Sequence, residues 1–508
     1  MGSKLSQREH LQHRRSLHHL GMQLGLALVL TFSTTRATAF SLLGPYTGWM
    51  TETNSFRQTG DIGGPMNLGE EYRWNVPVVT YTFDASFLAY FGSNGVAAVE
   101  SAIGILNSLP PASQINPSNY PPEVTWINYE AQSQGLIDLK SETLFQLVQQ
   151  LGLAQPTRFT FCLHSFSITN DTITGTVIQR NFDPFSIGYS TNVNDASYGY
   201  NLWHQSTGQG TEADAVEFPI DPLSDTFTAV ADGALAPGAI YTGLTRDDAG
   251  GLRYLLATNN VDYETLLSGV QGVGANASSF VNGSPRPGVD KITFVRVNGY
   301  DALSGQFFTP FTNQFTDSYI SNGVLAHQQL ERVITRPDFL FAATTLNDDN
   351  SSVPLVVSTG TSNWLTSSAL PGLAGPGIIQ PQVKITFIKP SFRVQTSDAW
   401  PPGTVCVENF QWGSFDSSTN LPVAYPDGTS LVNIHQLTLH FSLLGPNAIP
   451  SQSFTWQLPV SLGQYATLQT STNLSDWVSL IVVANYGMEI NWQHAYSRPQ
   501  GFFRVVPQ

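Results

Sequence analysis

Helical periodicity in this 508-residue chain ends near Leu267. Before that point, apolar residues recur at three- and four-residue steps in three separate stretches. Beyond it they alternate in steps of two, as a strand with one wet face requires. A chain divided in this way reads as an α+β N-terminal domain followed by all-β, sandwich-type domains.

The third helical stretch, residues 241–267 (YTGLTRDDAGGLRYLLATNNVDYETLL), carries its own start signal. Thr245 can accept from the N–H of Asp248 while Asp248 reaches back, as in a capping box. Asp247 and Asp248 also face the positive end of the helix dipole. Leu252, Leu255, Leu256 and Asn259 follow at helical spacing, and Asn259-Asn260 is a stop. Gly250-Gly251 weakens the helix by about 1 kcal/mol per glycine relative to alanine, a cost that implies another backbone packed close by. In the first stretch, residues 95–109, Val96, Val99, Ile103 and Leu106 form one stripe, Ser93 or Asn94 caps it, and Pro110-Pro111 ends it. In the second, Leu144, Leu147, Val148 and Leu151 share a face that Gly152 closes.

Strands are expected at residues 78–83, 124–129, 157–164 and 168–179, with an aromatic- and glycine-rich loop at 191–222. Residues 276–287 (NASSFVNGSPRP) read as a linker. Further strands follow at 290–297, 324–334, 353–358 and 383–389, with a helix ended by Pro337 as the alternative for 324–334, and Asn322-Gly323 suits a hairpin turn. KITFVRV from Lys291 and VKITFIK from Val383 echo one another. They are either a repeated β-module or two equivalent strands of one large sandwich.

Only 12% of residues are charged, 41% are hydrophobic, and Gly (43) and Pro (31) are plentiful. Such a composition suits a β-rich exported protein. The N-terminus agrees. Arg14 and Arg15 precede an apolar run at 20–32 that is too short to span a bilayer, and Ala37-Thr38-Ala39 is a small-x-small cleavage signal. Residues 1–39 therefore read as a signal peptide and the mature chain as beginning at Phe40, secreted or on the cell surface. Removing the leader, with five basic side chains and one acid, moves the net charge from −15 to −19. That surface repels nucleic acid and anionic lipid, and no later stretch is apolar enough to span a membrane. Cys162 and Cys406 are compatible with one long-range disulfide or with two buried thiols; no CxxC pair offers a zinc site.

Phe83-Asp84 followed by a long helix ending in LNSLP (106–110) begins a familiar order. More strands come next, then a glycine-rich segment (ADGALAPGA, 231–239), then a second long helix. Across residues 76–267 the order resembles a matrixin-type metzincin metallopeptidase. The resemblance implies a mixed sheet with two or three helices, and a zinc held by H-E-x-x-H on the second long helix. That motif is absent, and by position Asp247-Asp248-Ala249-Gly250-Gly251 stands in its place. Gly251 supplies no ligand, so the scaffold is expected to be zinc-free, with no cofactor other than calcium at Asp247, Asp248, Asp348 or Asp349. His435 and His440, five apart on an alternating strand, face opposite ways. GxSxG, Walker and GxGxxG patterns are missing, and Glu70-Glu71 reads as a surface pair.

The end of the chain, from LQTSTNL (468–474) and Trp477 to FFRVV (502–506), resembles a fibronectin-like tail module of secreted bacterial proteins. Trp456, Leu468, Trp477 and Phe503 are its expected core. The domains expected are 40–275, 288–450 and 451–508, with 276–287 between the first two. The functional expectation is an exported, non-catalytic binding or structural protein whose partners are extracellular protein or carbohydrate. The competing reading is a secreted hydrolase, either a metallopeptidase with unrecognised ligands or a carboxylate-based glycosidase.

Overall fold

The computed structural model describes residues 39–507 except 208–209, 225, 227, 234, 275–276, 278, 298–309, 345–354, 368–374, 390–394, 398–403, 407–410, 419, 427–436, 445–449, 459–464, 485–488 and 496–501. Thr38–Gln508 is one compact unit. It is β-rich, with three helices longer than ten residues among the described residues.

Five strands build the central sheet: β1 (Val78–Phe83), β2 (Thr293–Arg296), β3 (Phe339–Thr344), β4 (Val356–Ser358) and β5 (Val383–Ile388). Their order is β2-β1-β3-β5-β4. The first four in that order run parallel and β4 runs antiparallel at the edge. FLFAAT of β3 is buried in its first five residues, as a parallel strand covered on both faces must be. The two KITF segments are thus strands of one sheet, separated by β1 and β3, rather than copies of a module.

Helix α1 (Ala85–Asn107) follows β1 directly, capped by Asp84, whose carboxylate accepts from the Ser86 N–H. It starts ten residues earlier than its stripe suggests, because Gly92 (φ 58°) interrupts the helical backbone and hides the first turns. Phe87 and Phe91 pack edge-on against Phe387 of β5, and Phe91 also meets Trp412. Helix α2 (Leu139–Gln150) packs beside α1, and helix α3 (Arg246–Leu256) closes the head. Two buried indoles find acceptors, Trp74 at Gln150 O (2.8 Å) and Trp412 at Ile388 O (2.7 Å), as apolar rings with one polar atom should.

The last five residues of the expected linker are a strand. Gly283–Pro287 pairs antiparallel with Val261–Thr265. Proline is tolerated because this is an edge strand, and composition alone does not reveal that. The surrounding residues stitch the chain together across the expected domain boundary. Arg73 donates to Glu264 (2.7 Å) and to the carbonyls of Leu255, Asn260 and Arg286. Arg286 donates to Asp317 (3.0 Å) and to the carbonyls of Glu264, Asn282 and Val281. Arg332 pairs with Asp338, which also accepts from Thr80 N–H (2.8 Å) on β1.

Residues 191–222 are not a loop either. Ala196–Thr207 and Gly210–Pro219 form a long hairpin. Its alternation is masked by small and polar residues. Tyr198, Ala213 and Ala215 are buried, whereas Trp203, Val216 and Phe218 are exposed. The strand expected at 157–164 begins only at Cys162 and runs to Thr169, paired with Thr172–Ile178. The hairpin Phe311–Ser321 with Val324–Ile334 turns on Asn322 (φ 50°) and Gly323 (φ 76°), as Asn-Gly turns do.

The tail strands Tyr465–Ser471, Val478–Ala484 and Phe502–Pro507 share a sheet with Gln395–Ser397 and Thr404–Cys406, upstream of the expected boundary at 451. A second sheet joins Leu437–Leu444, Pro450–Leu458 and Glu489–Ala495. Leu468 is buried, and Trp477 is half-buried under the Arg504 guanidinium. No helix among the described residues is long and apolar enough to cross a membrane.

Candidate functional site

Helix α3 begins as its sequence dictates. Thr245 Oγ1 accepts from Asp248 N–H (3.3 Å), and Asp248 Oδ2 accepts from Thr245 N–H (2.9 Å). The helix ends at Leu256, three residues short of Asn259. The two aspartates do more than cap. Asp247 accepts from the backbone N–H groups of Ala39 (3.1 Å) and Asn194 (2.8 Å). Asp248 accepts from those of Val230 and Ala231, both at 2.9 Å. Each aspartate is 1% exposed. Burial raises both carboxyls above their usual range. It pushes nearby Asp232 up to about 7.

Close packing at Gly250 and Gly251 comes from side chains. A Cβ on Gly250 would lie 2.7 Å from the Pro184 ring, and one on Gly251 would lie 2.6 Å from Leu153 and 2.9 Å from Phe40. The segment is therefore a buried anchor. Oxygens already facing N–H donors are poorly placed to take a cation, which needs oxygen ligands free of such donors. Among the described residues no cluster of three His, Cys, Asp or Glu could hold a metal ion. The other calcium candidates, Asp348 and Asp349, lie outside the described residues, as does His435.

The described histidine side chains, His164, His204 and His327, do not gather at α3. The His164 ring is 5.0 Å from the Trp49 ring, His204 lies 3.8 Å from Asp171, and His327 shares a hydrogen bond with Ser318 (3.0 Å). Cys162 is a free, buried thiol whose pKa burial pushes up. Glu71, read as a surface residue, is fully buried and accepts from Gly69 N–H and from Asn260 Nδ2. Burial, then the nearness of Glu71, pushes Asp262 up to about 7.

Helix α2 holds the pattern that the sequence reading missed. From Phe145 the chain runs FQLVQQLGLAQ, ending at Gln155. The spacing is that of H-E-x-x-H-x-x-G-x-x-H. Phe145, Gln149 and Gln155 stand at the three histidine positions, Gln146 at the glutamate, and Gly152 at the glycine. Gly152 has φ 114°, and a Cβ there would lie 2.4 Å from Tyr72 O, so only glycine fits. Phe145 and Gln155 meet the same turn. The Phe145 ring lies 2.5 Å from where a Cβ on Gly233 would sit, and Gln155 Nε2 donates to Asp232 O (3.4 Å). A phenyl ring has no lone pair to offer a metal. Carboxamides are neutral, so Gln146 cannot take a proton from water. The glycine and its spacing are the signal the sequence offers for this pattern.

Beside the N-terminus of α2 lies a cleft of about 460 Å³ lined by Asp138, Lys140, Thr242, Ser414, Phe415 and Asp416. Asp138 caps α2 through Ser141 N–H (2.8 Å), and burial pushes its carboxyl up to about 6. Hydrogen bonds from Ser418 hold Asp416 below its usual range. Ile240 also lines the cleft, and it sits opposite exposed Trp126 in a strand pair. Hydroxyls, carboxylates of differing basicity and nearby aromatic faces suit a neutral polar ligand.

No protein-family model matches the chain, and no curated protein or solved structure matches it.

Proposed function

We propose that the protein is an exported, non-catalytic binding or structural protein of the cell surface or extracellular space, built on a retired metzincin-like scaffold. The observation that carries this reading is the FQLVQQLGLAQ segment. It keeps the spacing and the glycine of a metzincin zinc helix, and it has an uncharged, non-ligating or weakly ligating residue at every chemical position. The meeting of Phe145 and Gln155 at one turn supports the same reading. Contact with extracellular carbohydrate or protein is assigned to the polar cleft and the exposed aromatics beside it.

Metal analysis and turnover test the reading together. The purified protein is expected to carry well under a tenth of a zinc per chain and to leave casein and aryl glycosides intact. The quadruple variant Phe145→His, Gln146→Glu, Gln149→His, Gln155→His is expected to bind close to one zinc while keeping the wild-type circular dichroism spectrum. Chelator-sensitive casein cleavage by the wild type would restore the metallopeptidase. Glycoside hydrolysis would point instead to Asp138 and Asp416 as an acid–base pair. A folded quadruple variant that takes no zinc would remove the metzincin assignment.

A further inference from the structure

The Ala37-x-Ala39 signal invites a cut after Ala39, but the fold keeps Ala39 for itself. Ala39 is fully buried, and its N–H is one of two backbone donors to the Asp247 carboxylate, at 3.1 Å. The other donor is Asn194 N–H, at 2.8 Å. All five residues of the following strand, Phe40–Gly44, are buried. That strand pairs with Gly64–Met66, with Leu153–Ala154 and with Asn181–Phe182, and Phe40 is in register opposite Phe182.

A mature chain beginning at Phe40 would strip one donor from a carboxylate that is 1% exposed. It would also place a new ammonium on a residue that is itself 1% exposed. Both are costly, because a buried charge needs its hydrogen-bond partners. The sequence offers a second small-x-small register two residues upstream, Thr35-Arg36-Ala37. It meets the same −3 and −1 requirement, and a cut after Ala37 falls where the compact unit begins, at Thr38.

We infer that leader removal hydrolyses the Ala37–Thr38 peptide bond, so that the mature chain begins Thr38-Ala39-Phe40 and Ala39 completes the shell of Asp247. In that step a host leader peptidase delivers water across the bond. The hydroxyl goes to the Ala37 carboxyl group and the proton to the Thr38 amine. The cut is made on the extended chain during export, before Ala39 is buried. The new α-ammonium then lies one residue from the Ala39 amide, within about 4 Å of it along the chain. The Ala39 N–H is itself 3.1 Å from Asp247, whose carboxyl the like charges of Asp248 and Asp232 help to raise. This inference rests on the export reading above.

The test is the N-terminal residue of the full-length chain expressed with its own leader in a bacterium and recovered outside the cytoplasm, read by intact mass and terminal sequencing. Thr38 is the expected first residue. Phe40 would overturn the inference while leaving export intact. A chain recovered only from the cytoplasm and beginning at Met1 or Gly2 would overturn export itself and this inference with it. A second measurement does not depend on the peptidase. Chains made to begin at Thr38 or at Phe40 are compared in thermal unfolding, each with and without Asp247→Asn. The Phe40 chain is expected to melt several degrees lower, and the difference is expected to shrink at least by half in the Asp247→Asn background. Equal melting of the two wild-type chains would show that Ala39 does nothing for Asp247.

Discussion

The head buries acid in two different ways. Around α3, Asp232, Asp247 and Asp248 are met by backbone N–H groups and threonine hydroxyls. Around the strands at 261–287 and 311–334, Glu264, Asp317 and Asp338 are met by the guanidinium groups of Arg73, Arg286 and Arg332. The first arrangement is local and dipolar. It fixes the ends of helices and turns and raises the pKa of each acid through burial. The second is long-range and ionic, and each arginine also caps or bridges backbone carbonyls or a distant strand. The two should therefore fail differently, since an arginine removed strands a charge as well as its acceptors, whereas an acid removed strands only neutral donors.

The largest effect is expected for Arg73→Met. It leaves Glu264 and three carbonyls without their donor inside the protein and should cost at least about 3–5 kcal/mol, read as a drop in urea midpoint. The double variant Arg73→Met, Glu264→Leu should recover part of that loss, because the Glu264 charge is no longer left bare, although Asp262, 3.6 Å from the guanidinium, still loses its partner. A single variant costing less than about 1 kcal/mol, the range of an exposed pair, would break the comparison. Asp248→Ala comes next, at about 2–3 kcal/mol for its stranded N–H donors; Asp248→Asn, which keeps one oxygen, should cost less in the same unfolding experiment.

The smallest effect is the pH profile. Burial pushes Asp138 up to about 6 and Glu142, Asp232 and Asp262 up to about 7. Unfolded carboxyls titrate near pH 4, so between there and pH 7 the folded chain binds more protons than the unfolded one. The stability contributed by these groups is complete below pH 4 and is lost as pH rises through 6 to 7. The melting temperature should therefore fall from pH 5 to pH 8, and Asp232→Asn should flatten the fall. A profile that rises over this range would show that the N–H-bound acids are ionised throughout.

Local chemistry was readable in the sequence where one short segment settles the outcome. β1, the Asn322-Gly323 hairpin and the Thr245–Asp248 box all stand where their residues place them. Readings failed where the deciding partner is remote. The prolines of 285 and 287 belong to an edge strand only because Val261–Thr265 lies alongside. Glu71 is internal only because Asn260 and its neighbours cover it. The first turns of α1 were hidden by one glycine at position 92. Asp247 and Asp248 were singled out correctly as helix-starting residues, but nothing near them in sequence announced that Ala39, Asn194 and Val230 would supply their partners.

The order of the central sheet has a consequence for how the chain is made. β1 pairs on one side with β2, 215 positions further along, and on the other with β3, 258 positions further along, so it has no flanking strand until the first of these is translated. At about 5–20 residues per second the wait is roughly 10–50 s. Pairings so distant also close slowly. A nascent chain of this design leaves the ribosome with its core strand still unclaimed, its apolar edge exposed until the partner strands have been synthesised.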